Sequence, residues 1–118
     1  MKKDYKDLIV WQKAMDMVVA VYRTTRSFPR EETYGLTSQM RRSAVLVPSN
    51  IAEGQGRPTR GHFCSFLGHA KGSLAELETQ AMIAQRLGYV QADCPILVQI
   101  CEVARLLNGL INSLTTDN

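Results

Sequence analysis

Five arginines surround the junction between the first two predicted helices, and their side chains are the clearest chemical signal in the sequence. They are Arg23, Arg26, Arg30, Arg41 and Arg42. A guanidinium donates two parallel hydrogen bonds to a phosphate, so such a cluster favours an anionic partner, and it can neutralise phosphates without reading a base sequence. A solvated helical face with salt bridges to Asp16, Glu31 and Glu32 explains the same residues equally well.

Two further arginines lie in the glycine-bearing segment 53–61, between the second and third predicted helices. Arg57 and Arg60 would stand beside the free backbone N–H groups of a helix N-terminus, which is a general anion site. Neither nucleotide motif fits, because Thr59 replaces a glycine of the dinucleotide fingerprint and His62-Phe63 replaces the Lys-Ser/Thr of the phosphate loop. Ordinary turn chemistry is the competing interpretation. The candidate phosphate-binding residues are therefore Arg23, Arg26, Arg41, Arg42, Arg57 and Arg60.

Residue types that catalysis or metal binding requires are scarce. Neither His62 nor His69 follows a glutamate by three residues, so the Glu-x-x-His pairs of di-iron bundles are absent from the sequence. A zinc site needs about four well-placed ligands, and these histidines with Cys64 do not supply them. No nucleophile lies on a recognisable turn. We therefore expect no catalytic residue, no metal and no cofactor.

Polar residues interrupt two of the apolar helices near their middles. Asn50 and Glu53 follow Pro48 in the second, while Ser73 and Glu76 line one side of the third. Because buried polar groups must pair with one another, Asn50, Glu53, Ser73 and Glu76 are predicted to form a buried polar network. Exposure to solvent is the alternative, and the sequence does not choose between them.

Helices must position these side chains, because apolar residues return at three- and four-residue steps almost everywhere. The steps predict four helices, near residues 7–27, 35–55, 60–87 and 94–114. Thr59 is the predicted N-cap of the third helix and Gly88 its C-terminal stop, while Asp93 is the predicted N-cap of the fourth. Pro48 should kink the second helix or open one of its turns.

Each helix has a predicted core stripe. On the first it is Leu8, Trp11, Met15, Val18, Val19 and Tyr22. On the second it is Leu36, Met40, Ala44, Val47 and Ile51. On the third it is Phe63, Leu67, Ala70, Leu74, Leu77, Ala81 and Ala84. On the fourth it is Leu97, Ile100, Ala104, Leu107, Ile111 and Leu114. The near-heptad recurrence favours shallow left-handed helix crossings.

Length and composition fit one soluble domain. The chain has 118 residues, of which 45% are apolar and 21% charged, and a net charge of +3. No segment has the pattern of a strand, and the short connections favour antiparallel neighbours. We predict an all-α, antiparallel up-down-up-down four-helix bundle over residues 1–118. Without a signal peptide or an apolar run of membrane-spanning length, a cytoplasmic protein with reduced cysteines and no membrane partner is expected.

The first helix is apolar on more than one face, because residues 8–11 and 17–21 are consecutive apolar runs. A second apolar face usually contacts another chain. We therefore predict self-association through Trp11, Val18 and Val21. A helix buried more deeply in its own bundle is the alternative.

Four segments resemble a known family. They read DLIVWQKA from Asp7, YGLTSQMRRSA from Tyr34, PSNIAEG from Pro48 and GSLAELETQ from Gly72. In this order they resemble the four-helix bundle proteins encoded in intervening sequences of bacterial 23S ribosomal RNA genes, a family that is also similar to the accessory protein of diversity-generating retroelements. The resemblance covers almost the whole chain. One departure is Gln55, which stands where an aromatic residue is common in the family.

This resemblance implies a ring-like homopentamer with a basic surface, a role with nucleic acid, and neither catalytic residues nor a cofactor. The number five comes from the resemblance alone. We expect a non-enzymatic homo-oligomer that binds RNA or DNA through the six candidate arginines, without strong sequence readout. The alternative is a scaffold or accessory subunit for a protein partner such as a reverse-transcriptase-like enzyme, which the extra apolar face of the first helix favours.

Overall fold

Four α-helices make up most of the protein. The computed structural model describes residues 4–115, and its helices are α1 (Ile9–Thr25), α2 (Leu36–Gln55), α3 (Arg60–Arg86) and α4 (Pro95–Thr115). Short 3-10 turns at Tyr5–Asp7 and Arg30–Glu32 precede α1 and α2. No strand occurs within residues 4–115. The prediction of an all-helical fold with four helices is confirmed.

Helix α3 begins and ends where its local chemistry indicates. The Thr59 hydroxyl accepts a hydrogen bond from the His62 backbone N–H at 3.1 Å, which caps the helix. After the last turn, Gly88 has a φ of +82°. Glycine adopts this left-handed conformation without a Cβ clash, so it ends the helix at little cost.

The starts of α1 and α4 differ from the prediction. Helix α1 begins at Ile9, after a 3-10 turn that the Asp4 carboxylate caps by accepting a hydrogen bond from the Lys6 N–H. Helix α4 begins at Pro95, so Asp93 is not the residue directly before it. Proline fits this first position because an N–H there would have no helical partner.

Pro48 lies inside α2 without ending it. Its missing N–H and its ring disturb the hydrogen bonds of the preceding turn. The next two side chains supply donors to that turn: the Ser49 hydroxyl donates to the Val45 carbonyl and the Asn50 amide donates to the Leu46 carbonyl, both at 2.8 Å. These two carbonyls follow that of Ala44, which is the one that loses its helical donor at Pro48, and the helix continues to Gln55.

A single cluster of buried apolar residues joins all four helices. Helix α2 packs against α1 and α3, and α4 packs against the same two helices. On α2 and α3 the predicted stripes are largely buried. Where these helices meet, Gly54 is buried, and a Cβ added to it would lie 2.6 Å from the Phe66 Cβ. Only a glycine permits this close approach.

Helix α1 turns a different face to the core from the predicted one. Its buried residues are Val10, Ala14, Met17, Val21 and Thr25. The predicted core residues Met15, Val19 and Tyr22 are exposed instead. Because both faces are apolar, periodicity alone does not select the inward one. Val21 is fully buried within the chain's own core, so its assignment to an intermolecular interface is wrong.

Helix α4 buries Ile100 and Leu107 of its predicted stripe, and the other stripe residues are partly buried against the core. Its buried residues are Ile96, Ile100, Val103 and Leu107. Within residues 4–115, this helix also has the length and apolar composition that a membrane crossing requires, although only 22% of its most apolar window is buried. The sequence was expected to contain no segment of membrane-spanning length, and α4 corrects that expectation. One helix that meets a length and composition criterion is weak evidence for a membrane crossing, so no membrane role is assigned to α4.

Candidate functional site

The structure separates the six candidate arginines into groups. Arg23 and Arg26 lie at the C-terminal end of α1, and Arg41 and Arg42 lie near the start of α2, where Arg41 contacts Tyr22 and Thr25 of α1. Arg57 and Arg60 lie beyond the other end of α2, which is 20 residues and therefore about 30 Å long. The six side chains do not form one continuous surface, because consecutive positions on a helix point in different directions and the helix itself separates the two ends.

Arg41 is held against the end of α1. Its Nε donates to the Thr25 hydroxyl at 2.8 Å and its Nη2 to the Tyr22 carbonyl at 3.3 Å. The guanidinium also lies 4.6 Å from the centre of the Tyr22 ring, in a cation–π contact. Arg41 therefore joins α1 to α2. These contacts use only some of its N–H donors, so they give Arg41 a structural role and leave phosphate binding by Arg41 a prediction.

Arg23 and Arg26 are exposed, and neither has an ion-pair partner among residues 4–115. Arg23 lies in the last turn of α1, where the helix dipole favours a positive charge. It also lines an open cavity of about 520 Å³ together with Asp93. The two guanidinium groups are three residues apart and so lie on neighbouring parts of one helical face. They remain available to an anion from solution.

Glu32, one of the acids expected to form salt bridges with the arginines on a solvated helical face, has other partners. Glu32 Oε2 accepts a hydrogen bond from the Tyr89 hydroxyl at 3.0 Å, and its Oε1 accepts one from the Leu36 N–H at 3.1 Å. The Tyr89 ring lies 5.3 Å from that of Phe28. No local pattern in the sequence points to this contact, since 57 residues separate Glu32 from Tyr89.

The Tyr89–Glu32 contact also changes the acidity of the phenol. Its hydrogen bond to Glu32 raises the pKa of Tyr89 above the ordinary value of 10.0. Desolvation and the negative charges of Glu32 and Glu31 raise this pKa further. At a pH below this pKa the phenol is neutral, and its hydrogen bond to Glu32 joins the loop after α3 to the turn before α2.

At the opposite end, Arg57 has its own partners. Its Nη2 lies 2.7 Å from Glu53 Oε2 in an exposed salt bridge, and its guanidinium lies 4.8 Å from the centre of the Phe66 ring. Arg60 is exposed at the first position of α3. Because Glu53 neutralises Arg57, this end offers an anion less positive charge than the sequence suggested.

The predicted buried polar network does not form. Glu53 and Glu76 are exposed, Asn50 is half-buried and Ser73 is buried. The Asn50 amide bonds to the Leu46 carbonyl, and Glu53 pairs with Arg57. Their positions near the middle of the helices suggested burial, but the two acids lie on the outward face. This part of the prediction is wrong.

A polar groove instead lies between α2 and α3. A cavity of about 230 Å³ is lined there by Gln39, Arg42, Ser43, Leu46, Glu76 and Gln80. The Gln80 Oε1 atom is buried and has no hydrogen-bond partner within the described part of the chain. Such an orphaned acceptor costs about 1–3 kcal/mol. Sequence reasoning missed Gln39 and Ser43, although both are within one helical turn of Arg42.

An apolar groove lies on the other side of α2, against α1. It encloses about 340 Å³ and is lined by Tyr5, Trp11, Met15, Val18, Val45, Pro48, Ser49 and Ala52. The Tyr5 and Trp11 rings pack edge to face, with centres 5.4 Å apart. Two of the three predicted interface residues, Trp11 and Val18, thus share one partly accessible surface.

Metal ligands do not converge. No group of three or more histidine, cysteine, aspartate or glutamate side chains within residues 4–115 could hold a metal ion. Cys64, Cys94 and Cys101 are all free.

Comparison with known proteins identifies the relatives of this bundle. The family model for the 23S rRNA-intervening sequence protein matches residues 6–109. The chain belongs to this family. Among curated proteins none matches.

A solved structure supports the same fold. It is the crystal structure of a protein with unknown function from the S23 ribosomal protein family of Bacteroides thetaiotaomicron VPI-5482. The TM-score is 0.78 at 21% sequence identity, with 87% of this chain and 98% of that chain covered. At this identity the likeness shows the fold alone. Neither this relative nor the 23S rRNA-intervening sequence family points to a catalytic activity.

Proposed function

We propose that this member of the 23S rRNA-intervening sequence family is a non-enzymatic, cytoplasmic homo-oligomer that binds RNA or DNA without strong sequence readout. The observation that carries the proposal is the pair Arg23 and Arg26, two neighbouring exposed guanidinium groups without ion-pair partners among residues 4–115. Guanidinium groups of this kind bind phosphate bidentately. Phosphate contacts position a nucleic acid but carry no base information.

Self-association is part of the proposal, because two arginines alone bind a strand weakly. Each neutralised phosphate changes log K by only about 0.7–0.9 per tenfold change in salt. In an oligomer the pair recurs on every copy, and a single strand that reaches several copies gains avidity. The apolar groove between α1 and α2 supplies a surface for this assembly, and a pentamer is the form that the family resemblance implies.

The antiparallel order of the helices belongs to the same proposal. Tyr22, near the end of α1, contacts Arg41, near the start of α2. Trp11 and Ala52, near the opposite ends of these two helices, line one groove. Between α2 and α3, Gly54 approaches Phe66, at the end of one helix and the start of the next. These pairs support antiparallel packing of α1, α2 and α3, as an up-down-up-down bundle requires.

The test compares nucleic-acid binding by the wild type and by the Arg23→Ala/Arg26→Ala variant. Fluorescence anisotropy with labelled single-stranded RNA, single-stranded DNA and duplex DNA would be measured over a salt series. We expect weaker binding to all three probes in the variant, and a log Kd against log salt slope that is smaller by about two for each arginine pair in contact.

The matched control is Lys71→Ala/Arg105→Ala, which removes the same net charge from exposed positions on α3 and α4. Its slope should remain that of the wild type. No binding to any probe at low salt, or an equal loss in both double variants, would contradict the proposal.

A protein partner is the second candidate function, and the apolar groove is the observation that favours it. A scaffold or accessory subunit, for example for a reverse-transcriptase-like enzyme, would bury this groove against its partner. Affinity capture with a Val18→Glu variant as control separates the two functions. Recovery of one protein at fixed stoichiometry, insensitive to nuclease and lost in the variant, would support the second candidate over the first.

A further inference from the structure

The polar groove between α2 and α3 contains a hydrogen-bonding group that the described part of the chain does not use. Gln80 Oε1 is buried without a partner within the described residues. Ser43 is only 5% exposed and lines the same cavity. Buried polar groups are nearly always paired in native proteins. The unpaired Gln80 acceptor at this cavity is a position where a ligand can donate the missing hydrogen bond.

The charged groups restrict what that ligand can be. Arg42 and Glu76 both line the cavity and are exposed, and no salt bridge joins them within the described part of the chain. A site with one positive and one negative side chain favours neither a free anion nor a free cation. It favours a neutral group that accepts hydrogen bonds on one side and donates them on the other.

Size restricts the ligand further. The cavity encloses about 230 Å³, below the roughly 300–1,000 Å³ of sites for drug-sized molecules. It can hold one small planar group but not a base pair. A second cavity of about 410 Å³ shares Gln39, Glu76 and Gln80 with it and extends along α3. The remainder of a chain-like ligand can leave along that path.

We propose that this cavity binds an unpaired guanine base of a single-stranded nucleic acid. Guanine presents two adjacent donors, N1–H and the N2 amino group, which a carboxylate such as Glu76 accepts together. Its O6 and N7 are the acceptors to which arginine characteristically donates, and Arg42 fills this role. Gln80 Oε1 accepts from the remaining amino proton.

Adenine and cytosine fit this arrangement less well than guanine. Adenine and cytosine each place an acceptor next to their amino group, and that acceptor would face the Glu76 carboxylate. Unpaired bases are read on these edges in single-stranded regions, so a duplex cannot enter the site. This inference rests on the proposed nucleic-acid binding and adds to it: phosphate contacts at Arg23 and Arg26 provide affinity, and the cavity provides a preference for one base.

The experiment uses single-stranded RNA probes that differ only at one central base, which is guanine, inosine, adenine or cytosine. Inosine keeps N1–H and O6 but lacks the N2 amino group. In fluorescence anisotropy we expect the guanine probe to bind about tenfold more tightly than the adenine probe, with inosine between them. Glu76→Gln should reduce this ratio to near one, because the amide replaces an acceptor by a donor.

Glu78→Gln is the matched control, since Glu78 lies on α3 but lines a different cavity, against α4. It should keep the guanine preference. Equal binding of all four probes would overturn the guanine site and leave the proposed function standing, whereas failure of every probe to bind would overturn both. A Glu76→Gln variant that changes the sedimentation coefficient but not the base preference would also overturn it, because another copy of the chain would then cover the groove.

Discussion

Adjacent arginines on one helix have different roles in this protein. Arg41 and Arg42 are consecutive in sequence, and both suggested phosphate contacts. The helical rotation of about 100° per residue places Arg41 against α1 and Arg42 in the groove with α3. A cluster of like residues in sequence is therefore divided into one structural residue and one that is available to a ligand.

The first prediction at this scale concerns the stability that Arg41 provides. We expect Arg41→Ala to lower the free energy of unfolding by about 1–3 kcal/mol, because it removes the hydrogen bonds that the guanidinium donates to the Thr25 hydroxyl and the Tyr22 carbonyl. Arg42→Ala should change it by less than about 0.5 kcal/mol, as is usual for exposed positions. Urea unfolding followed by circular dichroism measures both, and equal effects would contradict the assignment.

At the scale of the helix, two glycines that both lie within helices have opposite roles. Gly54 is buried where α2 meets α3, whereas Gly68 is exposed on α3, and a Cβ added there would have nothing within 4 Å. The first is required by tertiary packing. The second only weakens its helix, since glycine is a poor helix former.

This difference predicts that replacing glycine by alanine changes the stability of the protein in opposite directions at the two positions. Gly54→Ala should destabilise the protein by about 1–3 kcal/mol, because the new methyl group would overlap Phe66 and separate the helices. Gly68→Ala should stabilise it by up to about 1 kcal/mol through helix propensity. Thermal melting of the two variants against the wild type tests the pair, and a stabilised Gly54→Ala protein would refute the close helix contact.

Pro48 and the two polar residues after it show a second effect at the scale of the helix. It was expected to distort α2, yet the side chains of Ser49 and Asn50 donate to carbonyls of the preceding turn. The polar residues after the proline therefore serve their own helix. Asn50 was interpreted as a member of a network between helices because sequence does not show where a short side chain finds its acceptor.

At the scale of the whole molecule, the second apolar face of α1 stays partly exposed to solvent in a single copy of the bundle. Met15, Val19 and Tyr22 are between 40% and 45% exposed. Trp11 and Val18 line the adjoining groove with residues of α2. A continuous apolar surface of this kind is typical of contacts with another chain.

The corresponding prediction is a change of oligomeric state. Val18→Glu places a charge in the groove and should convert a wild-type oligomer to the protomer in sedimentation velocity. Trp11, the only tryptophan in the chain, should shift its emission to longer wavelength as the groove becomes exposed to water. Both changes should occur together if the groove is the interface.

Two further variants separate interface loss from misfolding. Met15→Glu alters a more exposed residue of the same groove and should act like Val18→Glu. Val98→Glu alters a residue on α4 that is 71% exposed and should leave the oligomer unchanged. A wild-type protein that sediments as a monomer at all concentrations would rule out self-association through this surface.

The residues and their order by themselves determined the helical fold of this protein and its family. Recurrence of apolar residues at three and four positions fixes where helices occur, and Thr59 and Gly88 mark the ends of α3 through local backbone chemistry. The core stripes of α2 and α3 were predictable because each helix has only one continuous apolar face. The four motif segments identified the family through their residues and their order along the chain, which require no knowledge of the tertiary structure.

Only the tertiary structure decided which face of α1 is buried, and which polar groups meet. Helix α1 is apolar on two faces, so its inward direction is set by the shape of the partners that it packs against and not by its period. The Glu32–Tyr89 bond and the polar groove around Gln80 join residues far apart in the chain. Such contacts depend on how helices are placed against one another, which a pattern of local spacing does not encode.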